Sequence, residues 1–459
     1  MAPSYRIERD SMGEMKVSSD ALYGAQTQRA VENFPISSQR LQRRFLRALG
    51  LIKASAARAN EELGYLDAAV ARRVYAAAER VTTGEFDEQF VIDVYQTGSG
   101  TSTNMNANEV IGHLANAHPN DDVNHGQSSN DVIPSAMHMA AAEQVHQELL
   151  PAMRVLQDAL SAKSVEFADI IKIGRTHLQD AVPMRLGQEF SGYGAQVTAA
   201  MERIESALPG IYQLPLGGTA VGTGLNALPG FTAKMIELIR EKTGLPFVEA
   251  ANHFEAQASK DAVCFLSGAL KTYAAGLTKI ANDIRWLGSG PRCGLGELKV
   301  PATQPGSSIM PGKVNPVIAE SVLMACAQVI GYDAAITWSV AAGNFELNVM
   351  MPLIAYDLLE SIHLLAAVSR NFADRCVSGL AADAGRATSF VEQSLAMATS
   401  LAPVIGYDKA AELAKEAYES GRTIREVATE KSGLSAAQLQ ELLDPATQAG
   451  GSLVHTKSE

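Results

Sequence analysis

The chain has 459 residues, and its 38 Lys and Arg stand against 50 Asp and Glu, a formal net charge of −12. With 47% hydrophobic and 19% charged residues it excludes global disorder, and it is long enough for about three domains of ~150 residues with cores of their own. So acidic a chain has no electrostatic reason to bind nucleic acid or an anionic membrane surface, and positive charge for an anionic substrate must be gathered locally.

The four cysteines, Cys264, Cys293, Cys326 and Cys376, are scattered and form no CxxC pair. That excludes a disulfide framework and zinc-ribbon spacing, and suits inert thiols in a reducing compartment. The opening MAPSYRIERDSMGEMK has no apolar core and no cleavage pattern, so a cytoplasmic protein is expected. The longest uncharged stretch, between Glu205 and Lys234, carries Pro209, Pro215 and Pro229, and is expected to be loop material and no membrane span.

Proline is absent between Pro35 and Pro119, between Pro246 and Pro291, between Pro316 and Pro352, and between Pro352 and Pro403. These runs are rich in Ala, Leu, Glu and Gln, which lose little rotamer freedom in a helix. β-branched alternation is hard to find, so an almost all-α chain is expected. Ala262, Leu266, Ala269, Tyr273, Leu277, Ile280, Ile284 and Leu287 step by three or four and draw one apolar stripe. They predict a single helix from about 252 to 287, roughly 50 Å long at 1.5 Å per residue. Further long helices are expected from 317 to about 340 and from 353 to about 377, which together argue for an elongated bundle buried by oligomerisation. The C-terminal stretch is charged, and Gly421 and Gly433 break it into short helices.

Four clusters of small polar residues interrupt the helical pattern: TGSGTSTNMNANEV at 97–110, HPNDDVNHGQSSND at 118–131, GRTHLQDAVP at 174–183 and GSSIMPGKVNP at 306–316. Each alone reads as a helix-capping loop. Together they offer hydroxyls, carboxamides, His118, His177 and Lys313, the groups that hold and orient a carboxylate or phosphate. None has metal-ligand spacing. Gly98 and Gly100 follow no predicted strand, which weakens a dinucleotide reading, and no GxSxG elbow surrounds Ser307. Gly312 suggests a mobile loop. The residues themselves reach a metal-free anion site, and no named reaction.

GSSIMPGKVNP closely resembles the signature loop of the fumarase/aspartase superfamily, and the other clusters resemble its remaining active-site segments in the same order. DSMGEMKVSSDALYGAQTQRAVENFPIS, at 10–37, is similar to the N-terminal segment of class II fumarases. PGKVNP and GRTH point to the fumarase branch, where aspartases usually carry PAKVNP and a Gln at the position of His177. The departures are Tyr23 for a usual Trp, Ala319 for a frequent Pro, His125-Gly126 for a segment usually ending in Ser, and Arg185 for a frequent Thr. Arg185 is expected to alter charge near the pocket.

The resemblance implies an all-α, three-domain fold: residues 1–127, a central long-helix bundle at 128–384, and a small C-terminal helical domain at 385–459. It also implies a homotetramer with a twenty-helix core and active sites shared between subunits. The implied reaction is reversible trans elimination of water from (S)-malate to fumarate through an aci-carboxylate dianion, without metal or cofactor. Ser307 resembles the base, and its alkoxide needs nearby positive charge and backbone donors. His177, paired with Glu320, resembles the acid acting through a water. The sequence leaves Ser307 and His177 both open as the proton acceptor and favours Ser307. Lys313 and Asn315 resemble the groups that stabilise the dianion. Ser99, Thr101, Ser128, Ser129, Asn130, Thr176 and Ser308 resemble those around the substrate carboxylates. His118, Asn120 and Asp121 resemble a second dicarboxylate site, and HPND is equally a capping turn. The rival readings are aspartate ammonia-lyase, a crystallin-like protein without activity, and an iron–sulfur hydratase, which would need clustered cysteines.

Overall fold

The structure, a computed structural model, describes residues 4–450. Eighteen α-helices and four two-stranded sheets are found among the described residues. The class is all-α, with the two-stranded sheets as small additions. The chain packs as two compact units, one formed by the segments up to Pro151, Ala200–Ala274 and Cys326–Ala366, the other by Ala152–Ala199, Ala275–Ala325 and the segment from Ala367.

The apolar stripe predicted after residue 252 is buried from Leu266 to Leu287. It forms two helices, however: His253–Ala258 and Asp261–Leu287. The break is made by Lys260, whose buried ammonium donates to the carbonyls of Ala256 (2.7 Å), Gln257 (3.0 Å) and Ser259 (2.7 Å). Those carbonyls end the first helix, and a cation there satisfies them. The other two long helices run Val317–Ala341 and Met351–Arg375, close to expectation. Both are long and apolar enough, by length and composition alone, to cross a membrane. The first leaves Met324 and Trp338 68% and 80% exposed.

The sheets correct the expectation that alternation is absent. Tyr5–Asp10 pairs antiparallel with Gly13–Ser18. Its apolar Tyr5 and Ile7 face solvent, while Arg6 turns inward and donates to the carbonyls of Ser18, Ala21 and Tyr23. The alternation is there with its faces reversed, so hydropathy does not reveal it. The uncharged stretch after Glu205 is likewise only partly loop, because the helix Leu186–Ile211 continues through Pro209.

In the second unit, Met397, Leu401, Leu413, Ile424, Val427 and Leu439 belong to one buried cluster with Ile173. The C-terminal helices Tyr407–Ser420 and Ile424–Lys431 are separated as expected by Gly421, at φ 68°.

Candidate active site

Cluster 174–183 is no helix cap. It is the end of a β-hairpin, Ile171–Thr176 paired with Gln179–Arg185. His177 and Leu178 form its turn at φ 56° and 60°. Positive φ at both positions is that of a type I′ hairpin turn, normally supplied by Asn-Gly, and a leucine there is strained. Leu178 is 71% exposed, so solvation opposes it as well. Strain of this kind concentrates at functional positions. The hairpin's first strand is fixed while its turn is exposed: Ile173 enters the C-terminal core, and Arg175, two residues before His177, pairs with the fully buried Glu297 at 2.9 Å. Arg185 sits at the hairpin's base, paired in register with Ile171, with its Nη1 near Asp169. It is at the opposite end of the hairpin from His177, so the expected effect on pocket charge has no support within the unit.

The 306–316 loop is closed on itself. The Gly306 amide donates to the Lys313 carbonyl at 2.9 Å, and Asn315 Nδ2 donates back to the Gly306 carbonyl at 2.5 Å. A Cβ at Gly306 would lie 2.2 Å from the Lys313 oxygen, so no other residue fits this turn. Gly312 adopts φ 78°. Ser307 Oγ accepts from the backbone N–H of Ile309 at 3.2 Å and of Met310 at 3.0 Å. Pro305, Gly306, Ser307, Met310 and Lys313 line a concavity of about 400 Å³. Lys313 and Ser308 are exposed, and the Lys313 ammonium has no ion pair among the described residues. Glu320 stands in the first turn of Val317–Ala341. Neither it nor His177 makes a side-chain hydrogen bond or ion pair among the described residues, so the pairing implied by the resemblance is not made within one chain.

In the first unit, the remaining expected residues gather at two helix N-termini. Gly100, at φ 74°, caps Thr101–Ala115, and Ser99 Oγ lies 2.8 Å from Thr101 Oγ1. Gly98 is a close-packing glycine and no phosphate turn: a Cβ there would lie 1.7 Å from the Val349 oxygen. Ser128 and Asp131 make a full capping box at the start of Ser129–Gln144. Asn130 donates to the Ala220 carbonyl at 2.8 Å. The dipole of such a helix start favours an anion.

HPND takes the capping form. His118 Nδ1 accepts from the Asp121 amide at 3.0 Å, and the His118 amide donates to Asp122 at 2.7 Å. Asn120 and Asp121 are exposed in the turn that follows. Gly126 is required by its φ of 73°, with Phe231 packed where a Cβ would stand.

Sequence reasoning missed Glu297, 122 residues from Arg175 and in no motif. It also missed the turn 217–219, whose amides at Gly217 and Thr219 donate to Asp131 Oδ2 at 3.1 and 3.0 Å. The run of glycines there was a signal. A larger concavity of about 580 Å³, between Arg203, Phe265 and Asp333, contains none of the expected residues.

Comparison with known proteins gives the family. Residues 13–331 match the lyase family and 397–447 the fumarase C C-terminus. The chain is 52% identical to the class II fumarate hydratase of Mycobacterium tuberculosis, over 93% of this chain and 92% of that one. It is 51% identical to the mitochondrial fumarate hydratase of Rattus norvegicus, over 97% and 91%. The crystal structure of the class II fumarase from Schistosoma mansoni superposes with a TM-score of 0.94 at 40% identity, covering 97% of this chain and 99% of that one. With an all-α fold, ordered polar clusters and relatives aligned over nearly its full length, the chain belongs to the class II fumarate hydratase family of lyases.

Proposed function

We propose that this protein is a cytoplasmic fumarate hydratase that interconverts (S)-malate and fumarate by trans elimination and addition of water. The observation that carries the chemistry is at Ser307, where two backbone N–H groups converge on Oγ. A neutral serine is a poor base. Donors aimed at its oxygen favour the charged form, and Lys313 on the same loop adds positive charge. Ser307 takes the proton from the methylene beside a carboxylate. Lys313 and Asn315 stabilise the aci-carboxylate dianion, with Ser308 beside them. His177, held by Glu320 in the assembly, protonates the departing hydroxide through a water. Ser99, Thr101, Ser128, Ser129, Asn130 and Thr176 hold the carboxylates, and no metal or cofactor takes part.

The chain works as a homotetramer with active sites shared between subunits. Support comes from the exposed apolar residues of Val317–Ala341 and from the unpartnered His177 and Glu320. The three functional segments are 1–127, 128–384 and 385–459, the last supported by its core around Leu413, Val427 and Leu439. The test is fumarate absorbance from malate, with and without exhaustive chelation. Loss of activity on chelation sinks the metal-free mechanism. Fumarate from aspartate and none from malate makes the protein an aspartate ammonia-lyase instead.

A further inference from the structure

Lys53, on the helix Arg43–Glu62, has no exposed surface and belongs to none of the roles above. Lysines are almost never fully buried unless paired, because the ammonium loses its hydration. Among the described residues, no carboxylate lies within ion-pair distance of Lys53. Its Nζ donates instead to two carboxamide oxygens, Asn124 Oδ1 at 2.9 Å and Gln127 Oε1 at 3.0 Å. Burial pushes its pKa down to about 7, with Asp131 acting in the opposite sense. A methionine would fill the same volume without that cost, so the charge needs a reason.

The hydrogen bonds lead to the substrate edge. Asn124 Oδ1 accepts from Lys53 and also from Asn104 Nδ2 and Asn108 Nδ2, both at 3.2 Å. Asn104 lies on the helix that begins at Thr101, and its Nδ2 also reaches Ser129 Oγ at 3.4 Å. Asn104 is 1% exposed and Asn108 is fully buried, so water does not readily replace these links. On the other side of Ser129, the buried Asp131 accepts from the amides of Ser128, Gly217 and Thr219.

We propose that Lys53 is a positioning residue for dicarboxylate binding: its buried ammonium, acting through Asn124 and Asn104, fixes the Ser129 hydroxyl at the start of the helix Ser129–Gln144. The inference rests on the reading that Ser128–Asn130 hold a substrate carboxylate. Without the ammonium, Asn124 loses its charged donor and is held only by the neutral bonds to Asn104, Asn108 and the Gln127 carbonyl, so the linkage slackens. Ser129 then loses its fixed orientation. The effect falls on binding, because Lys53 touches neither the base nor the departing hydroxide.

The test is a double-mutant cycle in the full-length protein, with Lys53→Met, Ser129→Ala and the pair. It is read by KM and kcat for malate, and by calorimetric binding of succinate, a dicarboxylate with no hydroxyl to eliminate. Lys53→Met should raise KM about tenfold and leave kcat within about threefold. The double variant should bind no more weakly than the worse single variant, because both changes break one linkage. Effects that multiply, or an unchanged KM in folded Lys53→Met, overturn the proposal. If Lys53→Met does not fold, Asn104→Leu breaks the same chain and enters the cycle with the same expected readings. Wild-type protein without malate turnover sinks the proposed reaction, and the succinate arm then still decides the role of Lys53.

Discussion

Arg175 and Glu297 meet as a bidentate ion pair, at 2.9 Å between Nη2 and Oε1 and 3.1 Å between Nη1 and Oε2. The fully buried Glu297 also has the Lys172 ammonium at 3.6 Å, and Lys172 donates to Glu189 at 3.0 Å. Two cations and two carboxylates thus lock the strand Ile171–Thr176, from Lys172 near its start to Arg175 two residues before the strained turn that carries His177. Removing one partner of such a cluster leaves uncompensated charge in the interior.

Glu297→Ala should therefore lower unfolding stability by about 3–5 kcal/mol. Urea titration of folded, purified protein measures it. Arg9→Ala, which removes a pair with both side chains mostly exposed, should shift the midpoint immeasurably. Equal shifts for the two would mean that the buried cluster does not anchor the hairpin.

Assembly gives the second prediction. Trp338 is 80% exposed on an apolar helix, so Trp338→Asp should produce a smaller species in sedimentation and lose turnover with it. Separately, His177→Asn and Ser307→Ala proteins, each nearly inactive, should regain part of the activity when mixed and reassembled. No recovery after proven subunit exchange counts against shared sites.

The two histidines of the polar clusters should behave differently. His118 is spent on capping its own turn, so His118→Asn should keep kcat within about threefold of wild type. His177 makes no side-chain hydrogen bond or ion pair among the described residues, and if it is the acid, changing it to Asn should cost about 10²-fold or more. A large kcat loss in folded His118→Asn would overturn the assignment of roles.

What the sequence made legible follows from where the physics is local. The stripe from Leu266 to Leu287 shows in the spacing of its residues, because one face of one helix is buried. The Ser307 loop was marked by Gly306, where a Cβ would meet the Lys313 oxygen, and by Gly312, at φ 78°. The Ile171–Arg185 hairpin was hidden, because its turn is His-Leu and carries no turn signal. Lys53, Asn104 and Asn124 were hidden for another reason: a buried polar network is made by tertiary contact, between residues up to 71 positions apart. The distance between Arg185 and His177 was hidden as well, because it depends on strand pairing that the sequence does not print.

The last prediction concerns Ser307 and Lys313. If Ser307 is the base, Ser307→Ala removes a group needed chiefly in the transition state, so kcat should fall by at least ~10² while KM moves little. Ser308→Ala should cost less, because the two backbone donors converge on Ser307 and none is shared with its exposed neighbour. Lys313→Met should damage both parameters if one ammonium meets both the ground-state carboxylate and the added charge of the dianion. Lys313→Arg should not restore activity, because a planar guanidinium does not reproduce a compact ammonium. The Gly306–Lys313 backbone bond leaves the loop intact in all four variants, so steady-state kinetics with malate compares side chains on one frame. Near-normal turnover in Ser307→Ala would move the base elsewhere, with His177 the next residue to change.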